Sequence, residues 1–287
     1  MDRRIIELYD EYTHAPLERR VFLRRLAALT GSTAAAFAVL PMLESNYAQA
    51  AIIDPGDTRV SASMIDYPGA SGALRAYLAI PTSDPAKRAG VIAIHQNRGL
   101  TPHIEDIARR LAVAGFTALA PDLLSPLGGT PSDADTARAM IARVDRVVAV
   151  RDLVACIPYL KGRPDSNGKV GAVGFCWGGG LTNQLAVSAP DLDAAVPFYG
   201  PVPSPQDAAK IKAWLMLHYA DNDSWVNPGI PSYEAALKAA GVHYELYKYP
   251  NTEHAFNDDT SSARYNKAAA ELAWSRTIAF LKKHLSS

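Results

Sequence analysis

The sequence predicts an α/β protein with a mostly parallel central sheet and helices on both faces. Short continuous apolar runs, such as residues 91–95 and 116–120, are typical of buried parallel strands. These runs alternate with segments of helical periodicity through residues 51–287, and no linker divides that body. The alternation therefore predicts one α/β domain preceded by a segment of different character.

The elements follow one another in a regular order along this body. Residues 59–66 and 74–80 alternate in hydropathy around a turn-rich gap at 68–72, which predicts a β-hairpin. Residues 133–160 predict one long helix with a bend near Pro158. The remaining predicted strands are 91–95, 116–120, 169–173, 194–199, 214–218 and 244–249, and the remaining predicted helices are 104–114, 178–188, 231–240 and 262–284.

Composition excludes several classes of protein. Lys+Arg and Asp+Glu each number 29 among 287 residues, so the basic excess typical of nucleic-acid binding is missing. Apolar residues make up 48%, which suits a chain with a sizeable core and excludes disorder over most of its length. Two cysteines cannot form a disulfide scaffold.

The first fifty residues resemble an export signal. Arg19 and Arg20 are followed by Phe22 and Leu23, then by a mildly apolar stretch at 26–43 and a small-residue cleavage pattern at 48–50. This predicts twin-arginine export to the periplasm with a mature chain beginning near Ala51. The alternative is a helical arm over residues 1–50 that stays attached in the cytoplasm. The stretch is too short and contains Pro41, so we do not expect a permanent membrane span. The arm would present an apolar face formed by Leu17, Val21, Leu23 and Leu26.

A Gly-x-Cys-x-Gly turn at residues 174–178 stands between a predicted strand and a predicted helix. In this position the motif is a nucleophile elbow, with Cys176 in the place that serine often occupies. The small flanking residues let the strand and helix approach closely, and the helix dipole favours the thiolate of a cysteine at its N-terminus. Cys156 lies within a helical pattern among apolar residues and is expected to be a core residue.

The downstream sequence offers a carboxylate and a histidine in the order that such hydrolases use. Asp223 follows the predicted strand at 214–218, with Asp221 as the second choice, and His254 follows the predicted strand at 244–249. His95 ends another strand at the same sheet edge and is expected to line the pocket. The remaining histidines, His14 among them, are expected to be structural or solvated. There is no HExxH, no paired Cys/His spacing and no GxGxxG after the first strand, so neither a metal nor a cofactor is predicted.

Taken together, GFCWGGG at 174–180, the element at Asp223, EHAF at 253–256 and the runs at 94–100 and 103–124 resemble the dienelactone hydrolase family. The resemblance covers residues 59–284 and implies the α/β-hydrolase fold for a catalytic domain at 51–287. It implies Cys176 as nucleophile, His254 as base and Asp223 as the residue that orients it. The backbone N–H groups of Trp177 and Asn97 would form the oxyanion hole. The implied substrate is a small ester or lactone, hydrolysed through a thioester without a cofactor.

The chain departs from the family pattern at two positions. Gln96 stands where many relatives have a glutamate that exchanges a proton with the thiol, and Gln96 cannot take a proton at neutral pH. Asp258 stands where an arginine would bind a substrate carboxylate, which argues against dienelactone itself. With His95, residues Gln96 and Arg98 are expected to line or modulate the pocket. Two alternatives stay open: a non-catalytic binding protein of the same fold, and a redox-sensing thiol.

Overall fold

An eight-stranded sheet forms the centre of the protein in the computed structural model, which describes residues 1–14, 17–44, 46, 51–82 and 87–286. The strand order is β1-β2-β4-β3-β5-β6-β7-β8, and strands β4, β3 and β5 to β8 run parallel to one another. The predicted mostly parallel sheet is confirmed. The strands are Val60–Gly69 (β1), Gly72–Pro81 (β2), Arg88–Ile94 (β3), Thr117–Pro121 (β4), Ser166–Phe175 (β5), Ala194–Phe198 (β6), Trp214–Asn222 (β7) and Tyr244–Glu253 (β8).

The predicted hairpin is confirmed and is longer than expected. Strands β1 and β2 pair antiparallel from Val60↔Pro81 to Gly69↔Gly72, so only Ala70 and Ser71 remain in the turn. Gly72 has a φ of 123°, a conformation that residues with a Cβ rarely adopt. Strand β2 also pairs antiparallel with β4 and so joins the hairpin to the parallel part of the sheet.

Within the described part of the body, six helices pack around this sheet, as the predicted fold class requires. Strands β3 and β4 are buried almost throughout, and β5 is buried from Val170 onward, because helices cover them; the main core lies between helices and sheet. The helices are Pro102–Val113 (α4), Ala134–Ile141 (α5), Arg146–Lys161 (α6), Trp177–Ser188 (α7), Ile230–Ala239 (α8) and Lys267–Leu285 (α9).

The single helix predicted over 133–160 is wrong. The chain forms α5 and α6 with a break between Ile141 and Arg146. Asp145 causes the new start, because its carboxylate accepts the N–H groups of Val147 and Val148 and caps α6. Pro158 lies inside α6, and the break is not there.

Three further helices precede the body: Arg3–His14 (α1), Arg19–Thr30 (α2) and Thr33–Leu43 (α3). They share a small core of their own, in which the rings of Tyr12 and Phe22 stack at 4.4 Å. Of the four residues expected to form an apolar face, only Leu26 is fully buried. The cleavage pattern at 48–50 lies outside the described residues, so the export prediction stays a prediction.

The arm, as we call helices α1 to α3, is attached to the body by polar contacts. Arg264 in the loop before α9 pairs with Asp10 at 3.2 Å, and Arg19 pairs with Asp135. The backbone N–H of Ala263 donates to the carbonyl of Met42 at 3.1 Å. Within the described ranges no single helix has both the length and the apolar composition to cross a membrane; α2 and α3 meet that test together but are bent by 109°.

Candidate active site

Cys176 occupies a strained turn between β5 and α7. Its φ of 55° and ψ of −116° lie outside the regions that residues with a Cβ prefer, which is typical of a nucleophile elbow. The turn is possible only because its neighbours lack side chains. A Cβ on Gly174 would lie 2.1 Å from Thr182 Oγ1, and a Cβ on Gly178 would lie 2.3 Å from the carbonyl oxygen of His95. The sequence therefore places the thiol at the N-terminus of α7.

Asp223 and His254 meet at the same edge of the sheet. They follow the neighbouring parallel strands β7 and β8, and His254 Nδ1 lies 2.6 Å from Asp223 Oδ2. The other carboxylate oxygen, Oδ1, accepts the N–H groups of Trp225 at 3.2 Å and Val226 at 3.0 Å. Asp221, the second choice from the sequence, lies at the surface and pairs with Lys248.

Burial and mutual attraction act in opposite directions on this pair. Burial alone would lower the pKa of His254, but attraction by Asp223 and by Cys176, together with the hydrogen bond to Asp223, raises this pKa well above its usual range. Burial alone would raise the pKa of Asp223, yet its pKa is lowered because His254 and two backbone N–H groups stabilise the carboxylate. Asp223 therefore orients the ring and supports its protonated form.

The second ring nitrogen of His254 points towards the thiol. His254 Nε2 is buried and has no hydrogen-bond partner among the described residues, and a ring nitrogen of His254 lies within 4.8 Å of Cys176 Sγ. A base that is held on one side by a carboxylate and free on the other suits proton transfer to and from a nucleophile.

His14 also contacts the thiol, which the sequence analysis did not predict. It is the last residue of α1, and its Nε2 lies 3.1 Å from Cys176 Sγ although 162 residues separate the two in sequence. The ring stacks on Trp225 at 4.2 Å and lies edge-on to His254 at 4.6 Å. Because burial and repulsion by His254 lower its pKa well below the usual range, His14 is neutral near pH 7.

The hydrogen-bond partner of His14 fixes the position of its proton. Nδ1 lies 2.7 Å from the carbonyl oxygen of Asp10, which can only accept, so Nδ1 carries the hydrogen. In the neutral ring Nε2 is then a bare acceptor. His14 Nε2 is thus placed, at 3.1 Å from Cys176 Sγ, to accept a hydrogen bond from a thiol S–H.

The C-terminal end of α1 is held against the site by two body residues. Its last carbonyl groups have no partner within the helix. The side-chain amide of Asn97 donates to the carbonyl of Thr13 at 2.7 Å, and Arg138 donates to that of Tyr12 at 2.9 Å. Asn97, expected from the sequence to supply an oxyanion-hole N–H, thus also binds the arm through its side chain.

The other predicted residues surround the elbow. Trp177 begins α7, where backbone N–H groups lack intrahelical partners, and its ring stacks on His95 at 5.4 Å. His95 is fully buried and uses both ring nitrogens, near the carbonyl of Gln96 at 2.7 Å and the N–H of Leu123 at 3.2 Å. Gln96 has a buried Nε2 without a partner among the described residues. Arg98 lines a separate cavity next to the arm.

Tyr199 is a further residue that the sequence analysis did not single out. It follows β6 with a φ of 36°, is fully buried, and packs edge-on against His254 at 5.0 Å. Burial raises the pKa of its hydroxyl well above the usual range, and the hydroxyl has no hydrogen-bond partner in the described part of the chain. Its position after a strand at the carboxyl edge of the sheet was the one available signal.

Asp258 belongs to a buried cluster in the loop that follows His254. Its carboxylate accepts the N–H and hydroxyl of Thr260 and lies 4.0 Å from His103 Nδ1. His103 is closer to Asp259, at 3.0 Å, and Asp259 also pairs with Arg110. This cluster ties the loop after His254 to helix α4.

Two cavities border the candidate site. The larger, about 340 Å³, is lined by His14, Trp177 and Trp225 together with residues 138–146. The smaller, about 270 Å³, reaches His14, Asp223 and His254 from the other side. His14 and Trp225 line both cavities, so the arm forms part of the wall through which a small molecule reaches Cys176.

A nucleophile elbow and a histidine–carboxylate pair at the carboxyl edge of a mostly parallel sheet define an α/β-hydrolase. Within that class, the chain belongs to the dienelactone hydrolase family, whose model matches residues 74–285. The resemblance noted from the sequence is confirmed.

Individual relatives agree with this assignment. The chain is 32% identical over 257 residues to the "Putative carboxymethylenebutenolidase" of Saccharolobus solfataricus, covering 76% of this chain and 97% of the relative. It is 30% identical to the "Probable 2-oxo-3-(5-oxofuran-2-ylidene)propanoate lactonase" of a Bradyrhizobium species, covering 76% and 92%. The solved structure of the "Putative Dienelactone Hydrolase" of Klebsiella pneumoniae superposes with a TM-score of 0.71 at 27% identity. The superposition covers 78% of this chain and 99% of that chain. The protein is therefore a hydrolase of ester or lactone bonds in a small-molecule substrate.

Proposed function

We propose that the protein hydrolyses a carboxylic ester or lactone with a Cys176–His254–Asp223 triad through an acyl-thioester intermediate. One observation carries the proposal. The base His254 is held by Asp223 at 2.6 Å, and its unpartnered Nε2 faces a thiol on a strained elbow. These are the parts that acyl transfer requires: a nucleophile, a base and a group that orients the base.

The proposed reaction has two halves. Cys176 Sγ attacks the carbonyl carbon while His254 Nε2 takes the thiol proton, and the same proton then passes to the leaving alcohol oxygen. Water, deprotonated by His254, next attacks the thioester and releases the acid and the free thiol. The N–H groups of Trp177, at the start of α7, and of Asn97 would hold the negative oxygen in both halves.

The docked arm sets a condition on the first half. A carbonyl carbon must approach Sγ to about 3–3.5 Å before attack. His14 Nε2 already lies 3.1 Å from Sγ, within the distance that the carbonyl carbon needs. The substrate must therefore displace the ring of His14, after which the S–H can turn to His254.

The acyl group that the site accepts depends on Asp258 and on the lining of the larger cavity. Asp258 replaces the arginine that would bind a substrate carboxylate, and it is buried, which argues against dienelactone itself. The larger cavity combines the apolar side chains of Ile141 and Trp177 with the cationic Arg138 and Arg146, so its lining suits a neutral or a carboxylate-bearing acyl group. The lactonase named among the relatives supports a lactone as the substrate class.

The test is a panel of p-nitrophenyl esters and small neutral lactones, assayed with matched pairs of variants. Cys176→Ala should abolish turnover while Cys156→Ser, at a buried thiol in α6, should keep it. Asp223→Asn should lose most of the activity while Asp221→Asn, at the surface, should not. Mass spectrometry of the acid-quenched enzyme should find the acyl group on Cys176.

The rival class would give a different pattern. A binding protein of this fold would turn over no member of the panel and would bind a lactone equally well with or without the thiol. Full activity in Cys176→Ala would also overturn the proposal, because another group would then perform the attack.

A further inference from the structure

Three side chains from distant parts of the chain converge on one point. His14 comes from the end of α1, Cys176 from the elbow and His254 from the loop after β8. Their atoms Nε2, Sγ and Nε2 all lie within 4.8 Å of one another. The triad uses two of these groups and leaves His14 without a role.

Each histidine is held in the orientation that metal-binding histidines show. His14 Nδ1 lies 2.7 Å from the carbonyl oxygen of Asp10, and His254 Nδ1 lies 2.6 Å from Asp223 Oδ2. A ring whose Nδ1 is held by an oxygen acceptor presents the lone pair of Nε2, as ligating histidines do. His254 Nε2 is moreover buried, at 1% residue exposure, and unpartnered among the described residues.

The donor set matches a borderline-soft divalent cation. One thiolate and two imidazoles suit Zn²⁺, and three protein ligands leave a fourth tetrahedral position for water or a small ligand. The cavities of about 340 and 270 Å³ that meet at His14 supply the room for that fourth group.

The geometry needs only a small adjustment. With Zn–S of about 2.3 Å and Zn–N of about 2.0 Å, tetrahedral coordination separates sulfur and nitrogen by about 3.5 Å. His14 Nε2 and Cys176 Sγ are 3.1 Å apart. This pair therefore needs a shift of only a few tenths of an ångström. The two separations that involve His254 are within 4.8 Å, so they need to shorten by at most about 1.5 Å to admit the ion.

We propose that His14, Cys176 and His254 form a Zn²⁺ site when the arm is docked. Coordination replaces the S–H bond of Cys176 by an S–Zn bond and the N–H bond at Nε2 of the protonated His254 by an N–Zn bond, and both protons are released to solvent. Zn²⁺ binding by itself does not depend on the proposed function. The consequence of Zn²⁺ binding does rest on the proposed function. An ion bound to both the thiol and the base of the triad prevents hydrolysis, so the docked arm and Zn²⁺ together hold the enzyme inactive.

The experiment titrates the full-length, metal-stripped, reduced protein with Co²⁺ and then displaces it with Zn²⁺. The wild type and Cys156→Ser should each bind one equivalent and show the charge-transfer absorption of thiolate bound to Co²⁺. Cys176→Ala should lose that absorption. His14→Ala should bind Zn²⁺ at least tenfold more weakly, whereas His284→Ala, a ring stacked on Trp214 at 4.3 Å, should match the wild type.

A second variant covers the case in which His14→Ala does not fold. Asp223→Asn keeps all three ligands and removes only the carboxylate behind His254, which should weaken Zn²⁺ about 10- to 100-fold. Substoichiometric binding by the wild type, or Zn²⁺ affinities in His14→Ala and Asp223→Asn equal to the wild type, would overturn the site.

Hydrolysis is measured separately, with chelator present. If the enzyme hydrolyses esters in the presence of chelator but binds no Co²⁺ in the separate titration, the metal site is refuted and the proposed function stands. If the enzyme binds Co²⁺ at Cys176 but hydrolyses no member of the panel, the metal site stands and the proposed function is refuted.

Discussion

Replacing His14 by alanine should expose Cys176 to alkylation. Only 4% of the surface of Cys176 is accessible, and the ring of His14 lies directly on Sγ. A reagent such as iodoacetamide therefore reaches the sulfur only when the end of α1 moves away. The rate of alkylation then depends on how often the arm opens.

The expected size of the effect follows from what the ring contributes to docking. Its hydrogen bond with the thiol is worth about 0.5–1.5 kcal/mol. Its stacking on Trp225, at 4.2 Å, adds about 0.5–1.5 kcal/mol. His14→Ala should therefore remove about 1–3 kcal/mol of docking free energy. Because about 1.4 kcal/mol corresponds to a tenfold change in an equilibrium constant, the fraction of protein with the arm open and the alkylation rate should rise about 5- to 150-fold.

The assay follows modification of Cys176 by mass spectrometry at fixed pH in a Cys156→Ser background, so that one thiol is counted. His284→Ala is the matched control, since its ring also stacks on a tryptophan but lies far from the thiol. A rate in His14→Ala that equals or falls below that of the control would refute the reasoning. It would mean that His14 activates the thiol and does not cover it.

Further predictions concern the arm, the histidine loop, Gln96 and the N-terminus. Phe22→Ala, which removes a fully buried ring, should cost about 3–5 kcal/mol of arm packing and speed hydrogen exchange of residues 3–43, whereas Phe37→Ala, at 56% exposure, should change little. Burial alone would lower the pKa of His103, but Asp258 and Asp259 raise it against the opposing charge of Arg110. Its contribution to the free energy of unfolding should therefore be complete below about pH 6.5 and lost as pH rises through the raised pKa, a slope that His103→Gln should remove in denaturation series. Gln96→Glu should slow alkylation of Cys176, because a carboxylate beside the elbow opposes the thiolate; an unchanged or faster rate would show that residue 96 has no such influence. N-terminal sequencing of the protein from its native host should find a chain beginning near Ala51, and a start at Met1 or Asp2 would contradict export.

The positions of Cys176, Asp223 and His254 could be anticipated because they depend on topology. Each follows a parallel strand, and the carboxyl ends of parallel strands lie along one edge of the sheet. The choice of Asp223 over Asp221 rested on spacing. The structure places Asp223 against His254 and Asp221 against Lys248.

The break between α5 and α6 was missed because its cause is local and short. A single aspartate, Asp145, caps a new helix within a run whose apolar spacing continues on both sides. Pro158 was given the role of a breaker, yet it lies inside α6.

The placement of His14 could not be read from the sequence, because it depends on how α1 docks. The helix does carry a sign of docking: Ile5, Ile6, Leu8, Tyr9 and Tyr12 recur at helical spacing and are all buried. Such a pattern predicts that one face of the helix is buried, but it does not predict which part of the protein buries it. The contact with Cys176 needs Asn97 and Arg138 to hold the end of α1, and those pairings join residues far apart in sequence.

The two interpretations of the first fifty residues lead to opposite states of the thiol. In the docked arm Arg19 pairs with Asp135 and Glu44, so half of the arginine pair that an export receptor would recognise is engaged by the fold. We propose that export, where it occurs, begins from an arm that has left the body. Cleavage near Ala51 would then remove His14 together with Asp10, the partner of Arg264. The mature enzyme would keep Cys176, His254 and Asp223 but lose the third metal ligand and the cover over the sulfur. On this proposal the docked arm shields the thiol before export, and its removal leaves His254 as the base that faces Cys176.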